Sequence, residues 1–189
     1  MTIDSHSVLV VTKDIKISTL INAMLMPPMF DLQIVSGFNE ARRKCAEKIY
    51  NIIIVDFADG EGTDFATDIA DSLSTILLLC PNQYYEQISY KVESFGILTV
   101  PSPFDQFFFY NMIKIAIAVQ YKVTVLSSQT LKLKEKMEEI RLVNRAKMLL
   151  MQNLNMSEEE AHHYLEKEAM DRCLKRIKVA EQIISTYGS

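Results

Sequence analysis

Apolar positions in the first hundred residues alternate between unbroken short runs and helical stripes. Val8–Val11, Ile52–Val55 and Ile76–Leu79 are continuous apolar runs, the pattern of strands buried on both faces. With their flanks they predict strands over 7–12, 51–56 and 75–80, joined by strands over 30–35 and 97–100. Ile17, Leu20, Ile21, Met24 and Leu25 recur at helical spacing until Pro27-Pro28 stops them. Further helices are expected over 38–49, with Asn39 as cap, over 65–73 and over 84–95. Strands alternating with helices at this spacing imply a doubly wound parallel sheet of the α/β class.

The pattern changes after Phe104. From there the chain holds no Gly or Pro until Gly188. Val119, Val123, Leu126, Thr130, Leu133, Met137, Ile140 and Asn144 follow the 4-3 spacing of a coiled-coil seam, with Thr130 and Asn144 as polar register positions. A parallel dimeric coiled coil is expected, against the alternative of one helix packed back on the sheet. Phe107–Phe109 is expected to bury against the sheet; left exposed, it would be a partner-binding patch.

Further on, Ala146, Leu149 and Leu150 share one helical face, and Asn155 interrupts it. Ser157 with Glu160 reads as a capping box opening the next helix. Ala161, Leu165 and Ala169 line that helix, and Ile177, Ala180, Ile183 and Ile184 a third. Alanines at these positions let helix backbones come close. Met148, Met151, Met156 and Met170 read as filler of the bundle core.

Charge adds a mild polarity. The net charge of −4 divides into −5 over residues 1–131 and +1 over 132–189, so the back segment is the half able to approach phosphate. Three scattered cysteines, Cys45, Cys80 and Cys173, argue against a disulfide frame or a zinc site, and Cys80 and Cys173 read as packing residues. Glu159 and His162 share a carboxylate–histidine spacing, but a metal site would need several such helices converging. No apolar run reaches the roughly 18 residues a membrane helix needs, and no leader is evident. A cytoplasmic, non-enzymatic protein without cofactor or membrane contact is expected.

In a doubly wound sheet, ligand sites lie beyond the carboxyl ends of the strands. Thr12, Lys13, Asp56, Cys80 and Ser102 are expected to meet there. Residues 5–120 resemble a response-regulator receiver domain, with Asp56 at the phosphoacceptor position. The resemblance places the family's Mg²⁺-binding acidic pair at Thr12 and Lys13, its hydroxyl residue at Cys80 and its switching lysine at Ser102. Mg²⁺ is hard and wants carboxylate oxygens, so this pocket is read as degenerate. Lys13 is expected to pair with Asp56 in place of metal and lysine both.

Residues 141–189 resemble the ANTAR domain, a three-helix RNA-binding domain of antitermination regulators. Ala146-Lys147, Leu150-Met151, Ser157-Glu158, Ala161, Leu165, Ala169-Met170, Ala180 and Ile183-Ile184 carry the likeness. Met148 replaces a usual Gly, and Ile140 and Glu166 replace usual arginines; the last two bear on RNA contacts rather than on the fold. The resemblance implies a receiver-like domain over 1–118, a coiled-coil linker helix over 119–140 and a small three-helix bundle over 141–189.

The resemblance further implies hairpin RNA as the ligand. Arg145, Lys147, Lys167, Arg172, Lys175 and Arg176 are the candidates to contact phosphates or loop bases. The expected dimer seam is Val119, Val123, Leu126, Leu133, Met137 and Ile140. An inhibitor or sensor protein on the receiver-like domain would replace phosphorylation as control. Two other readings stay open: a scaffold whose bundle binds a partner protein, and a conventional phosphorylation-controlled regulator.

Overall fold

The computed structural model describes residues 5–188. Five strands, β1 (His6–Val11), β2 (Phe30–Val35), β3 (Ile52–Asp56), β4 (Thr75–Pro81) and β5 (Leu98–Ser102), form one parallel sheet in the order β2-β1-β3-β4-β5. Helices cover both faces, because the strands are apolar at odd and even positions alike. On one face α1 (Ile15–Met24) and the start of α5 (Gln106–Leu154) pack on Val8, Val10, Ile52, Ile54, Leu77, Leu79 and Val100. On the other, α2 (Phe38–Glu47), α3 (Glu61–Asp68) and α4 (Tyr85–Val92) pack on Leu9, Val11, Ile53, Val55, Ile76 and Leu78. The buried Thr75 hydroxyl donates to Gln120 Oε1 at 3.3 Å, so the polar pair under α5 is satisfied.

Three local expectations are corrected. α2 is capped by Gly37, in extended conformation and with no side-chain cap bond; Asn39 already lies in the first turn. α3 opens at Glu61, not near Phe65. Ala58, Asp59 and Gly60 take positive φ angles of 44°, 56° and 102°, which reverses the chain tightly after β3. Gly62 then sits so close to β3 that a Cβ would run into the Asp56 carbonyl. Finally, only Phe109 of the Phe107–Phe109 cluster is buried; Phe107 is 78% exposed. Asp105 accepts the Phe108 N–H and starts the helix, so Phe109, Ile113, Ala116 and Gln120 become the inward face, and Phe107 falls outside it.

The chain divides into two compact units, with the boundary between Val125 and Leu126, and α5 contributes to both. The second unit packs the end of α5 with α6 (Glu158–Asp171) and α7 (Arg176–Tyr187). Its core is Ala146, Leu150, Ala161, Leu165, Ala169, Val179, Ala180 and Ile183. Asn155 takes the left-handed conformation, φ 52°, and ends α5. Ser157 caps α6 in a complete capping box: its hydroxyl accepts the Glu160 N–H, and Glu160 Oε2 accepts the Ser157 N–H.

The far end of α6 is also closed locally. The Leu174 N–H bonds back to the Ala169 carbonyl, with Cys173 at φ 50°. Cys173 is therefore an exposed turn residue rather than a packing one, whereas Cys80 is buried. Of the four methionines expected as bundle filler, Met156 packs on the core, while Met148, Met151 and Met170 are exposed.

Candidate functional site

The strand ends of the first unit bring Thr12 and Asp56 together. Val11 pairs with Val55 in register, so the residues one step further along β1 and β3 are neighbours. The Thr12 hydroxyl donates to Asp56 Oδ2 at 2.8 Å and accepts the Asp14 N–H at 3.0 Å. Asp14 is itself committed: its Oδ1 accepts the Lys16 and Ile17 N–H groups at 2.7 and 3.4 Å and caps α1.

The expected Lys13–Asp56 pair is not made; among the described residues no ion pair involves either side chain. Lys13 instead lines a cavity of about 460 Å³ with Gly37, Phe38, Asn39, Arg42, Glu61 and Asp64. One residue of register separates the two outcomes, since Thr12 has the pleat parity of Asp56 and Lys13 does not. Cys80 is buried two residues beyond Leu78 on the α2–α4 face, and its thiol contacts the Pro81 carbonyl. Burial pushes that thiol's pKa up, away from a reactive thiolate. Ser102 ends β5 half-buried, without a hydrogen bond to Asp56.

The donor set does not suit Mg²⁺. Thr12 and Asp56 supply one hydroxyl and one carboxylate already bonded to each other, and among the described residues no three His, Cys, Asp or Glu side chains cluster as metal ligands. No phosphoryl-transfer step follows from this pocket.

In the second unit the candidate cations fall into two groups. Lys147 pairs with Glu158 at 2.8 Å, and Arg172 with Glu168 at 3.6 Å. Arg176 stands between Glu139 and Glu166, 3.7 Å from each, and Glu166 also meets His162 at 3.4 Å. Arg145, Lys167 and Lys175 make no ion pair among the described residues. The hydrogen bond and charge of Lys147 hold the Glu158 carboxyl below its ordinary pKa, and the Ser157 N–H does the same for Glu160. Lys136, Lys147, His162 and Arg176 line one cavity of about 190 Å³; Lys167 lies on another, with His163 and Tyr164. The acids that neutralise Lys147 and Arg176 were not legible in the sequence, because Glu158 and Glu139 reach them only through helix packing. Glu166, in a position where arginine is usual in the family it resembles, was the one signal.

On α5, Leu126, Leu133, Met137 and Ile140 are exposed, and Val119 and Val123 are half-buried within the first unit. No helix among the described residues is long and apolar enough to cross a membrane.

Residues 131–184 match the ANTAR domain family. The chain is 27% identical over 130 residues to the transcriptional regulatory protein PdtaR of Mycobacterium tuberculosis, covering 68% of this chain and 63% of that one. It is 31% identical over 99 residues to the aliphatic amidase regulator of Pseudomonas aeruginosa, covering 52% and 50%. The matched segments thus span less than two thirds of either regulator. Among solved structures, it resembles the signal receiver domain of an HD domain-containing protein from Pseudomonas fluorescens, with TM-score 0.57, 16% identity and coverage of 65% of this chain and 93% of that one. A two-component response regulator from Clostridium difficile gives TM-score 0.54, 15% identity and coverage of 60% and 97%. The chain thus combines a receiver fold in front with a C-terminal segment, residues 131–184, that matches the ANTAR domain family.

Proposed function

We propose that this protein is a non-enzymatic cytoplasmic regulator that binds hairpin RNA through its bundle and so promotes transcription antitermination. The observation that carries the reading is the ANTAR match over 131–184, which falls on a compact helical unit with its own core. Two copies associate through α5, where Leu126, Leu133, Met137 and Ile140 form an unpartnered apolar stripe. Asp56 is not phosphorylated, since its carboxylate faces a hydroxyl rather than a metal site. Control passes instead to an inhibitor or sensor protein on the receiver-like unit, where Tyr90, Phe95 and Phe107 are exposed. Single-round transcription through a terminator preceded by tandem hairpins tests this: added protein should raise read-through, and unchanged read-through on every such template contradicts it.

A second reading draws on the ion pairs. Lys147, Arg172, Arg176 and Lys178 each already face a carboxylate of the bundle, which suits a scaffold that binds a partner protein.

A further inference from the structure

We propose that the flank of α6 bearing Glu160, His163, Tyr164 and Lys167 holds one unstacked base of the RNA loop, with an adjoining phosphate on Lys167. The inference rests on the RNA-binding reading above and adds a place and a chemistry to it. Spacings of three and four residues put these side chains on one helical face. They line a cavity of about 360 Å³ with Leu154 at the end of α5 and with Asn155 and Met156 from the turn that opens α6. That volume lies at the small end of ligand pockets, which run to about 300–1,000 Å³.

The two flanks of α6 differ in what is already spent. On one side, Glu166 is tied both to His162 and to Arg176. On the other side, His163, Tyr164 and Lys167 have no hydrogen bond or ion pair among the described residues. Tyr164 is 37% exposed, so a face of its ring is open to stacking. The remaining groups divide the polar contacts by chemistry. Glu160 is fixed by the cap through Oε2, which leaves Oε1 as an acceptor. A carboxylate there repels phosphate and accepts from the amino edge of a base. Lys167 donates only and suits phosphate; the Asn155 amide can do either. An aromatic ring beside one acceptor and one cation fits a nucleotide, because every base has a π-face to stack and its backbone a charge to neutralise.

The test uses the full chain and tandem-hairpin leader RNAs, each loop base replaced in turn by an abasic residue. Tyr164→Ala should weaken binding of intact RNA about tenfold, the loss of one base stack. One abasic position should cost the wild-type protein about as much, and cost Tyr164→Ala little more. Tyr164→Phe, which keeps the ring, should bind as wild type, and Lys167→Ala should flatten the salt dependence. Both sites lie outside the core, and unchanged circular dichroism would show the variants folded. If Tyr164→Ala binds as wild type, or its loss adds independently to every abasic loss, the base sits elsewhere and the RNA-binding reading stands. If the wild-type protein binds none of the hairpins, both fall.

Discussion

The Thr12 hydroxyl donates to Asp56 Oδ2 at 2.8 Å, at the place where receiver chemistry would require a metal. The same hydroxyl holds the Asp14 N–H, and Asp14 is spent on capping α1. The carboxylate nearest Thr12 along the chain therefore has one oxygen, Oδ1, tied to the helix cap. Incubation with acetyl phosphate and Mg²⁺ should leave the intact mass unchanged. A stoichiometric phosphate adduct on Asp56 would overturn this account of the pocket.

Removing that hydroxyl has a stability cost. Thr12→Val keeps the shape of a buried side chain but takes the hydrogen-bond partner from the Asp14 N–H and from an oxygen of the half-buried Asp56. Water can reach both partners, so the loss is that of ordinary hydrogen bonds, about 0.5–1.5 kcal/mol, and urea unfolding of the first unit should show a loss of that order.

The apolar stripe on α5 predicts association. Leu133, Met137 and Ile140 are 63%, 70% and 53% exposed in the single chain. Burying one such side chain is worth about 1.5–3 kcal/mol. Sedimentation should find a dimer, and Leu133→Lys with Met137→Lys should yield a monomer of unchanged helicity. A wild-type monomer at every concentration would rule the coiled coil out.

Bundle stability should fall with acid in a defined way. The Glu160 and Glu158 carboxyls are both held below their ordinary range. A depressed pKa stabilises the fold above the unfolded value, about 4.3 for Glu, and the contribution is lost as pH drops from there through the folded value. Glu160→Gln should make thermal unfolding of the bundle less steep in pH below about 5. Ser157→Ala should cost about 1 kcal/mol at neutral pH, the worth of a side-chain cap.

The ion pairs around Arg176 bear on RNA affinity. Glu166→Gln removes one of its two carboxylate partners. Exposed pairs of this kind are worth about 0.2–1 kcal/mol, so RNA binding should tighten roughly twofold to fivefold with little change in stability. Weaker binding by Glu166→Gln would show that the pair positions Arg176 rather than occupying it.

The sheet was legible because strands buried on both faces must be apolar throughout, and Val8–Val11, Ile52–Val55 and Ile76–Leu79 announce themselves. The bundle was legible through its ends: Asn155 and the Ser157–Glu160 box carry local hydrogen-bonding chemistry that needs no tertiary context. The start of α3 was hidden because Gly60 and Gly62 signal a loop, whereas Gly62 is there for close approach to Asp56. Lys13 was misassigned because charge suggested a partner while strand parity selected Thr12. Cys173 as a turn residue had no signal, since that conformation usually falls to Gly or Asn.

The most direct measurement is a gel-shift of the full chain with tandem-hairpin RNA at about 50 and about 200 mM salt. Binding should be present and weaken as salt rises, because cation–phosphate contacts release counterions, and Lys147→Ala with Arg176→Ala should weaken it further. No shift with any leader hairpin, or a shift indifferent to salt, would contradict the account.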